Sequence, residues 1–201
     1  MKKETIGIIV ILQLAIISPF ITTSGADWIT AYREATLTGL YGVDTWNPYP
    51  AYWLFGAFAW MPARVGLMFW NLFNAAGFIY AAKKLNGRYL PFALSLPCLW
   101  TFYTGQIEGV IALGLAVAFT APPIIAGFGI VLLSFKPQIG ALVIPFILWQ
   151  RKEWRLLVLP IIIYAASLLQ WGWWVPEWVA SITSNNTQGY ATNTSLWTLF
   201  R

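Results

Sequence analysis

Apolar stretches recur along the chain, separated by short polar, basic or proline-bearing breaks. Residues 6–17, 109–120 and 156–169 hold no charged side chain. A helix that crosses a bilayer needs about 20 mostly apolar residues, fewer when it is tilted or flanked by interfacial aromatic rings. The pattern predicts an all-α polytopic membrane protein with about six to eight crossings by segment length. The expected order is a first span over 5–22, an external loop over 23–50, a helical membrane bundle over 51–173 and an external tail over 174–201. Within the first loop, residues 27–40 read as a short amphipathic interfacial helix capped by Asp27 and stopped near Gly39. No internal repeat and no second soluble domain is expected.

The basic residues give the orientation. Lys2 and Lys3, then Lys83, Lys84 and Arg88, then Arg151, Lys152 and Arg155 form short clusters between the apolar runs. The positive-inside rule puts all of them in the cytoplasm and makes the protein multi-pass with a cytoplasmic N-terminus. An odd number of crossings must then separate Pro50 from Lys83. An interfacial or re-entrant helix over 50–61 followed by one span over 63–82 satisfies this, whereas two crossings would move Lys83 and Lys84 outside. Residues 89–103 should then run outward, 109–120 back, 124–135 outward, 139–150 back and 156–173 outward. Turns fall at Ala121-Pro122-Pro123 and at Lys136-Pro137. Ser24-Gly25-Ala26 also fits a signal-peptide cleavage site, so cleavage after Ala26 is the alternative to an uncleaved first span.

Composition agrees with a lipid solvent. Hydrophobic residues make up 59% of the 201 positions and charged residues 9%, against roughly 25% charged in soluble domains. The net charge of +5 is carried by the cytoplasmic clusters and forms no basic face for nucleic acid. With no His and one Cys, Cys98, the chain has no Ser-His-Asp or Cys-His machinery, and a thiolate–imidazole metal site is disfavoured.

By this topology Asp27, Glu34, Asp44, Glu108 and Lys136 lie at or near the outer face. Lys136 interrupts two apolar runs, and a charge at mid-bilayer costs about 2.5–3.5 kcal/mol. Pro137 lacks a backbone N–H and disfavours helix at the residue before it, so Phe135-Lys136-Pro137-Gln138 is a helix break carrying a cation and an amide. Lys136 either snorkels to lipid headgroups or contacts a lipid phosphate in a cavity. Glu108 follows Gly105-Gln106 at another outer break and is either a paired structural acid or part of a site. Asp27 is either a helix cap or a carboxylate placed to take a proton from an acceptor hydroxyl. Asp44 reads as a turn residue. Asn185-Asn186-Thr187 and Asn193-Thr194-Ser195 match the N-glycosylation pattern weakly.

The order of these features resembles the N-terminal half of the polytopic C-superfamily (GT-C fold) glycosyltransferases, most closely glycosyltransferase family 87. The matching pieces are Asp27 after the first span, Asn47-Pro48-Tyr49-Pro50, Gly105-Gln106 before a helix, Ala126-Gly127 with Phe135-Lys136-Pro137, the basic stretch from Arg151 to Arg155, and Asn193-Thr194-Ser195-Leu196. Ala51 stands where the family pattern has a second proline. The resemblance implies a mannosyl- or arabinosyltransferase-type enzyme of the cell envelope, using a polyprenyl-phosphate-linked sugar and a lipid or glycan acceptor at the external face. It implies Asp27 as catalytic base, with Lys136, Gln106, Glu108 and Tyr49 around the donor phosphate and substrate. No cofactor and no metal ligand is implied; a divalent cation beside the carboxylates is an open alternative. Family members continue with further spans, so a second chain supplying them is an implied partner besides membrane lipids. The competing reading is a non-catalytic membrane protein, such as a lipid-binding or transport subunit or a degenerate fragment of such an enzyme.

Overall fold

A computed structural model describes residues 3–21, 24–38 and 47–184. Asp44, Gly39 and both glycosylation patterns lie outside the described residues, as does Asn193-Thr194-Ser195-Leu196. Among the described residues the chain is all-α, with no strand. Helix α1 spans Lys3–Ile17 and runs into a 3-10 turn, Ser18–Phe20. A π-helix, Asp27–Arg33, continues into α2, Glu34–Thr38. The bundle follows as α3 (Ala51–Ala59), α4 (Ala63–Lys84), α5 (Tyr89–Ala93), α6 (Leu96–Thr104), α7 (Glu108–Thr120), α8 (Pro123–Ser134), α9 (Pro137–Arg151), α10 (Val158–Trp171) and α11 (Val175–Ser184).

Among the described residues three helical segments are long and apolar enough to cross a membrane: Lys3–Phe20, Ala63–Lys84 and Trp154–Trp171. The apolar helices α7 and α8 are shorter. At 1.5 Å per residue, the 13 residues of α7 reach only about 20 Å, against a hydrocarbon core of about 30 Å. The expected six to eight crossings counted such segments, which need local bilayer thinning to pass. The protein is nonetheless plainly built for lipid: Ile17, Phe20, Leu142, Trp149, Ile161 and Leu169 stand exposed on its flanks.

The pairing of helix ends fixes relative direction. Arg64, at the start of α4, donates to the carbonyls of Pro19 (3.0 Å) and Ser24 (3.0 Å), so α1 ends where α4 begins. At the opposite end, the Tyr89 N–H donates to Glu4 (3.1 Å), which sets Lys3 beside the Lys83–Arg88 loop. Asn74 of α4 meets Gly109 of α7, and Gly77 packs on Leu113, so α4 and α7 run parallel. Arg151 then ties the ends of α9 and α7 together through the carbonyls of Ala118 (2.6 Å) and Ala121 (3.0 Å). The described residues of the basic clusters consequently share one end of the bundle, and residues 18–21, 24–25, 60–66, 103–108 and 134–138 share the other.

Three local expectations change. The stretch over 89–103 is not one helix but two, α5 and α6. Pro91 and Pro97 cannot donate to a continuous ladder, and Ser95 restarts the helix by accepting from the Cys98 N–H (3.4 Å). The first-loop helix is not an ordinary α-helix from 27 to 40: its first seven residues are π-helical. Asp27 does not cap it. The N-cap is Ala26, with helical dihedrals and no side-chain capping bond.

The core at the end away from the basic clusters is aromatic. Trp28 stacks on Trp70 (5.3 Å, 19°), and Tyr32 stacks on Phe55 (4.5 Å, 3°). Trp28, Phe55 and Trp70 are fully buried. This cluster joins the π-helix to α3 and α4, which holds the nine-residue α3 against the end of the bundle.

Candidate active site

Two glycines bring the first loop against the break between α6 and α7. Gly25 has φ +83° and donates to the Tyr103 carbonyl at 2.6 Å. Gly105 has φ +78° and ends α6. A side chain on Gly105 would meet the Trp28 Cβ at 2.7 Å, Leu67 Cδ1 at 2.8 Å and the Trp28 nitrogen at 3.4 Å. Positive φ suits glycine, and the absent Cβ lets the two backbones touch. Trp70 then fixes Gly105 by donating to its carbonyl at 2.8 Å. Gln106 therefore lies beside the peptide that joins Asp27 to Trp28.

Asn74 places the next residues. Buried in the middle of α4, it accepts from the N–H groups of Gly109 (2.8 Å) and Val110 (3.3 Å) and donates to the Trp70 carbonyl (3.0 Å). It thus caps α7 from a neighbouring helix, answering donors that helix starts leave open. One turn earlier, Asn71 donates to Ser18 Oγ and to the Phe102 carbonyl, both at 3.0 Å. Val110 also has the Ile107 carbonyl (2.9 Å), so Asn74→Ala orphans chiefly the Gly109 N–H. The expected cost is about 1–3 kcal/mol, seen as a lower thermal midpoint of the detergent-solubilised chain; an unchanged midpoint would remove the capping role.

The Lys136 break is tied in from the other side. Asn47 donates to the Phe135 carbonyl at 2.7 Å from a fully packed turn. The same turn carries Tyr49, whose ring stacks on Trp174 (4.7 Å, 5°) and whose hydroxyl donates to Glu177 (3.3 Å). Burial and the Glu177 carboxylate raise the Tyr49 hydroxyl above its usual pKa. Tyr49 thus braces the turn against α11, and it is Asn47 that reaches the break.

The charges meet at this end. Lys136 forms an ion pair with Glu108 Oε1 and donates to Gln106 Oε1 at 3.3 Å. Both charged side chains keep about a quarter of their surface open, 27% for Lys136 and 25% for Glu108, so the pair can be reached by a ligand. Glu108 Oε2 is buried without a hydrogen-bond partner. Asp27, half-buried, opens the π-helix, and the i→i+5 repeat of that helix sets Tyr32 one turn on. Burial first, then the carboxylates of Asp27 and Glu108, push the Tyr32 hydroxyl well above its usual pKa. Tyr32 thus stays protonated and can donate but not act as a base.

The structure therefore joins Gln106 and Glu108 through Lys136, packs Gly105 against Trp28, the residue after Asp27, and ties the turn that carries Tyr49 to the Lys136 break through Asn47. Among the described residues no group of three or more His, Cys, Asp or Glu is arranged to hold a metal ion. The sequence marks Asn47 only as part of the Asn47-Pro48-Tyr49-Pro50 turn and gives no role to Asn74 or Tyr32. For Asn74 a signal existed, since two amides three residues apart inside an apolar span need partners on neighbouring helices.

The model of glycosyltransferase family 87 matches residues 46–201. No curated protein and no solved structure matches the chain. The matched stretch contains Asn47, Tyr49, Gln106, Glu108 and Lys136, while Asp27 precedes it. As this match covers more than three quarters of the sequence, the chain belongs to glycosyltransferase family 87.

Proposed function

We propose that this membrane glycosyltransferase moves a sugar from a polyprenyl-phosphate donor to a hydroxyl of a lipid or glycan acceptor at the external face of the membrane. The acceptor oxygen attacks the anomeric carbon, the bond from that carbon to the phosphate oxygen breaks, and polyprenyl phosphate leaves with the electron pair. Asp27 takes the acceptor proton. Lys136 and Gln106 receive the phosphate, where a positioned ammonium stabilises the charge that grows on the leaving group. Tyr49 holds the turn that borders the site.

The observation that carries this reading is the ammonium of Lys136, held at one helix break beside Gln106 and Glu108 of a second break, whose Gly105 packs on Trp28. Merely snorkelling to headgroups would not require these partners. The test is transfer of radiolabelled sugar from polyprenyl-phosphate donors in vesicles containing the chain. Lys136→Ala is expected to raise the donor KM about tenfold or more, as befits loss of a charge-assisted hydrogen bond to phosphate. On the snorkelling reading the same change alters insertion alone, with donor KM unmoved.

The external placement rests on the positive-inside rule applied to the end that carries Lys3, Lys83, Lys84, Arg88 and Arg151. Single cysteines at Gln138 and at Lys152, in a Cys98→Ser background, are expected to label from opposite sides of sealed vesicles. Labelling of both from one side would end the assignment.

A further inference from the structure

The Lys136–Glu108 pair is more specific than phosphate binding alone requires. Two observations bear on it. First, Glu108 is only half satisfied: Oε1 meets Lys136, while Oε2 is buried without a partner. A carboxylate kept purely as structural glue is expected to have both oxygens answered, because a buried unsatisfied acceptor costs free energy. Second, the amides that start α7 and the Arg64 guanidinium are already engaged, whereas the Trp28 and Arg33 Nε–H groups at this end are buried without a partner. Asn74 occupies the Gly109 and Val110 N–H groups at the start of α7. Arg64 is bonded to the carbonyls of Pro19 and Ser24, and Arg33 donates to the Met61 carbonyl (3.3 Å). An arriving phosphate thus competes with Glu108 for Lys136.

We propose that Glu108 is an internal counter-ion for Lys136 that an anionic phosphate displaces, so that the pair is a resting state opened by the donor and re-formed as the phosphate product leaves. The inference rests on the proposed role of Lys136 as the phosphate-binding cation. Glu108 acts here as a positioning residue: it holds the ammonium at the helix break while the site is empty and sets how tightly phosphate is kept. The partly exposed pair lets the exchange occur without unfolding either helix. Once displaced, the Glu108 carboxylate moves from a half-answered position toward the open side of the site, where water can solvate it. Its negative charge then opposes retention of the product, whose phosphate monoester carries more charge than the donor's diester.

The experiment is a double-substitution cycle read by binding rather than turnover. Affinity for farnesyl phosphate and, separately, for inorganic phosphate is measured on the full chain in lipid nanodiscs for wild type, Glu108→Gln, Lys136→Gln and the double variant. The Gln side chain keeps the shape of Glu and removes its charge. Glu108→Gln is expected to bind farnesyl phosphate about threefold to tenfold more tightly than wild type, the size of one partly screened ion pair. That gain is expected to vanish in the Lys136→Gln background. If only farnesyl phosphate responds, the ligand is a lipid phosphate; if inorganic phosphate responds equally, the site reads the phosphate alone.

Unchanged or weaker binding by a monodisperse Glu108→Gln chain overturns the counter-ion role, and so does a gain that persists without Lys136. Those outcomes leave the phosphate role of Lys136 standing whenever Lys136→Gln itself loses affinity. Loss of no affinity by Lys136→Gln sinks the phosphate reading instead. Should Glu108→Gln fail to fold, infrared difference spectra of the wild-type chain serve. Farnesyl phosphate is expected to shift a carboxylate band, and the absence of any carboxylate change overturns the proposal.

Discussion

Asp27→Asn is expected to reduce sugar transfer by about 10³-fold or more while leaving membrane insertion, folding and donor KM close to wild type; a positioned general base contributes typically 10²–10⁴-fold. The substitution keeps the shape of the side chain and removes the group that accepts the proton. The Tyr32 hydroxyl is held protonated by burial and by the neighbouring carboxylates, and the chain has no His to take the place of Asp27. Insertion should survive because Asp27 contributes no cap to the helix that it opens. The same face is held by Trp28, stacked on Trp70, and by Tyr32, stacked on Phe55. Initial rates of labelled-sugar transfer in vesicles, set beside the elution profile of the purified chain, decide the matter. Turnover near the wild-type rate would take the base away from Asp27, and the family match would then have to find its catalytic group within residues 46–201.

The features legible from sequence were those that physics makes expensive. A lysine and a glutamate at breaks between apolar runs must be solvated or paired, and Lys136 and Glu108 stand out in the sequence for that reason. The direction of the helices was legible for a similar reason, because basic clusters concentrate at one end. What escaped was whatever depends on a neighbour far along the chain. Asn47 reads as a turn residue, and nothing local says that its amide reaches the Phe135 carbonyl 88 positions away. The π-helix over Asp27–Arg33 has no distinct signature in residue type, since its hydrogen-bond repeat is set by the packing of Trp28 and Tyr32 on α3 and α4. The split of the stretch over 89–103 was within reach: Pro91, Ser95 and Pro97 mark it, but an apolar run of that length suggests a single span.

Gly105→Ala is expected to disable the enzyme by separating its two halves. At φ +78° an alanine carries the left-handed penalty of about 1–2 kcal/mol. Its methyl would also stand 2.7 Å from the Trp28 Cβ and 2.8 Å from Leu67 Cδ1, and overpacking of this kind costs typically about 1–3 kcal/mol. Trp28 is fully buried and stacked on Trp70, and Trp70 itself bonds the Gly105 carbonyl, so the obstruction cannot swing into open space. The chain has two ways out. It can unfold more easily, lowering the thermal midpoint in detergent, or it can push the Gln106–Glu108 segment away from the Asp27 loop. Either way transfer falls by about 10²-fold or more, since a misplacement near 1 Å is enough to cost that much. Gly56 provides the comparison, because an added Cβ there would meet only the Thr36 methyl, at an ordinary contact distance of 3.7 Å, and Gly56→Ala should leave both midpoint and rate near wild type. A Gly105→Ala chain with undiminished midpoint and transfer would mean that the close approach of residue 105 to Trp28 does not join the carboxylate to the cation, and the site would have to be assembled some other way.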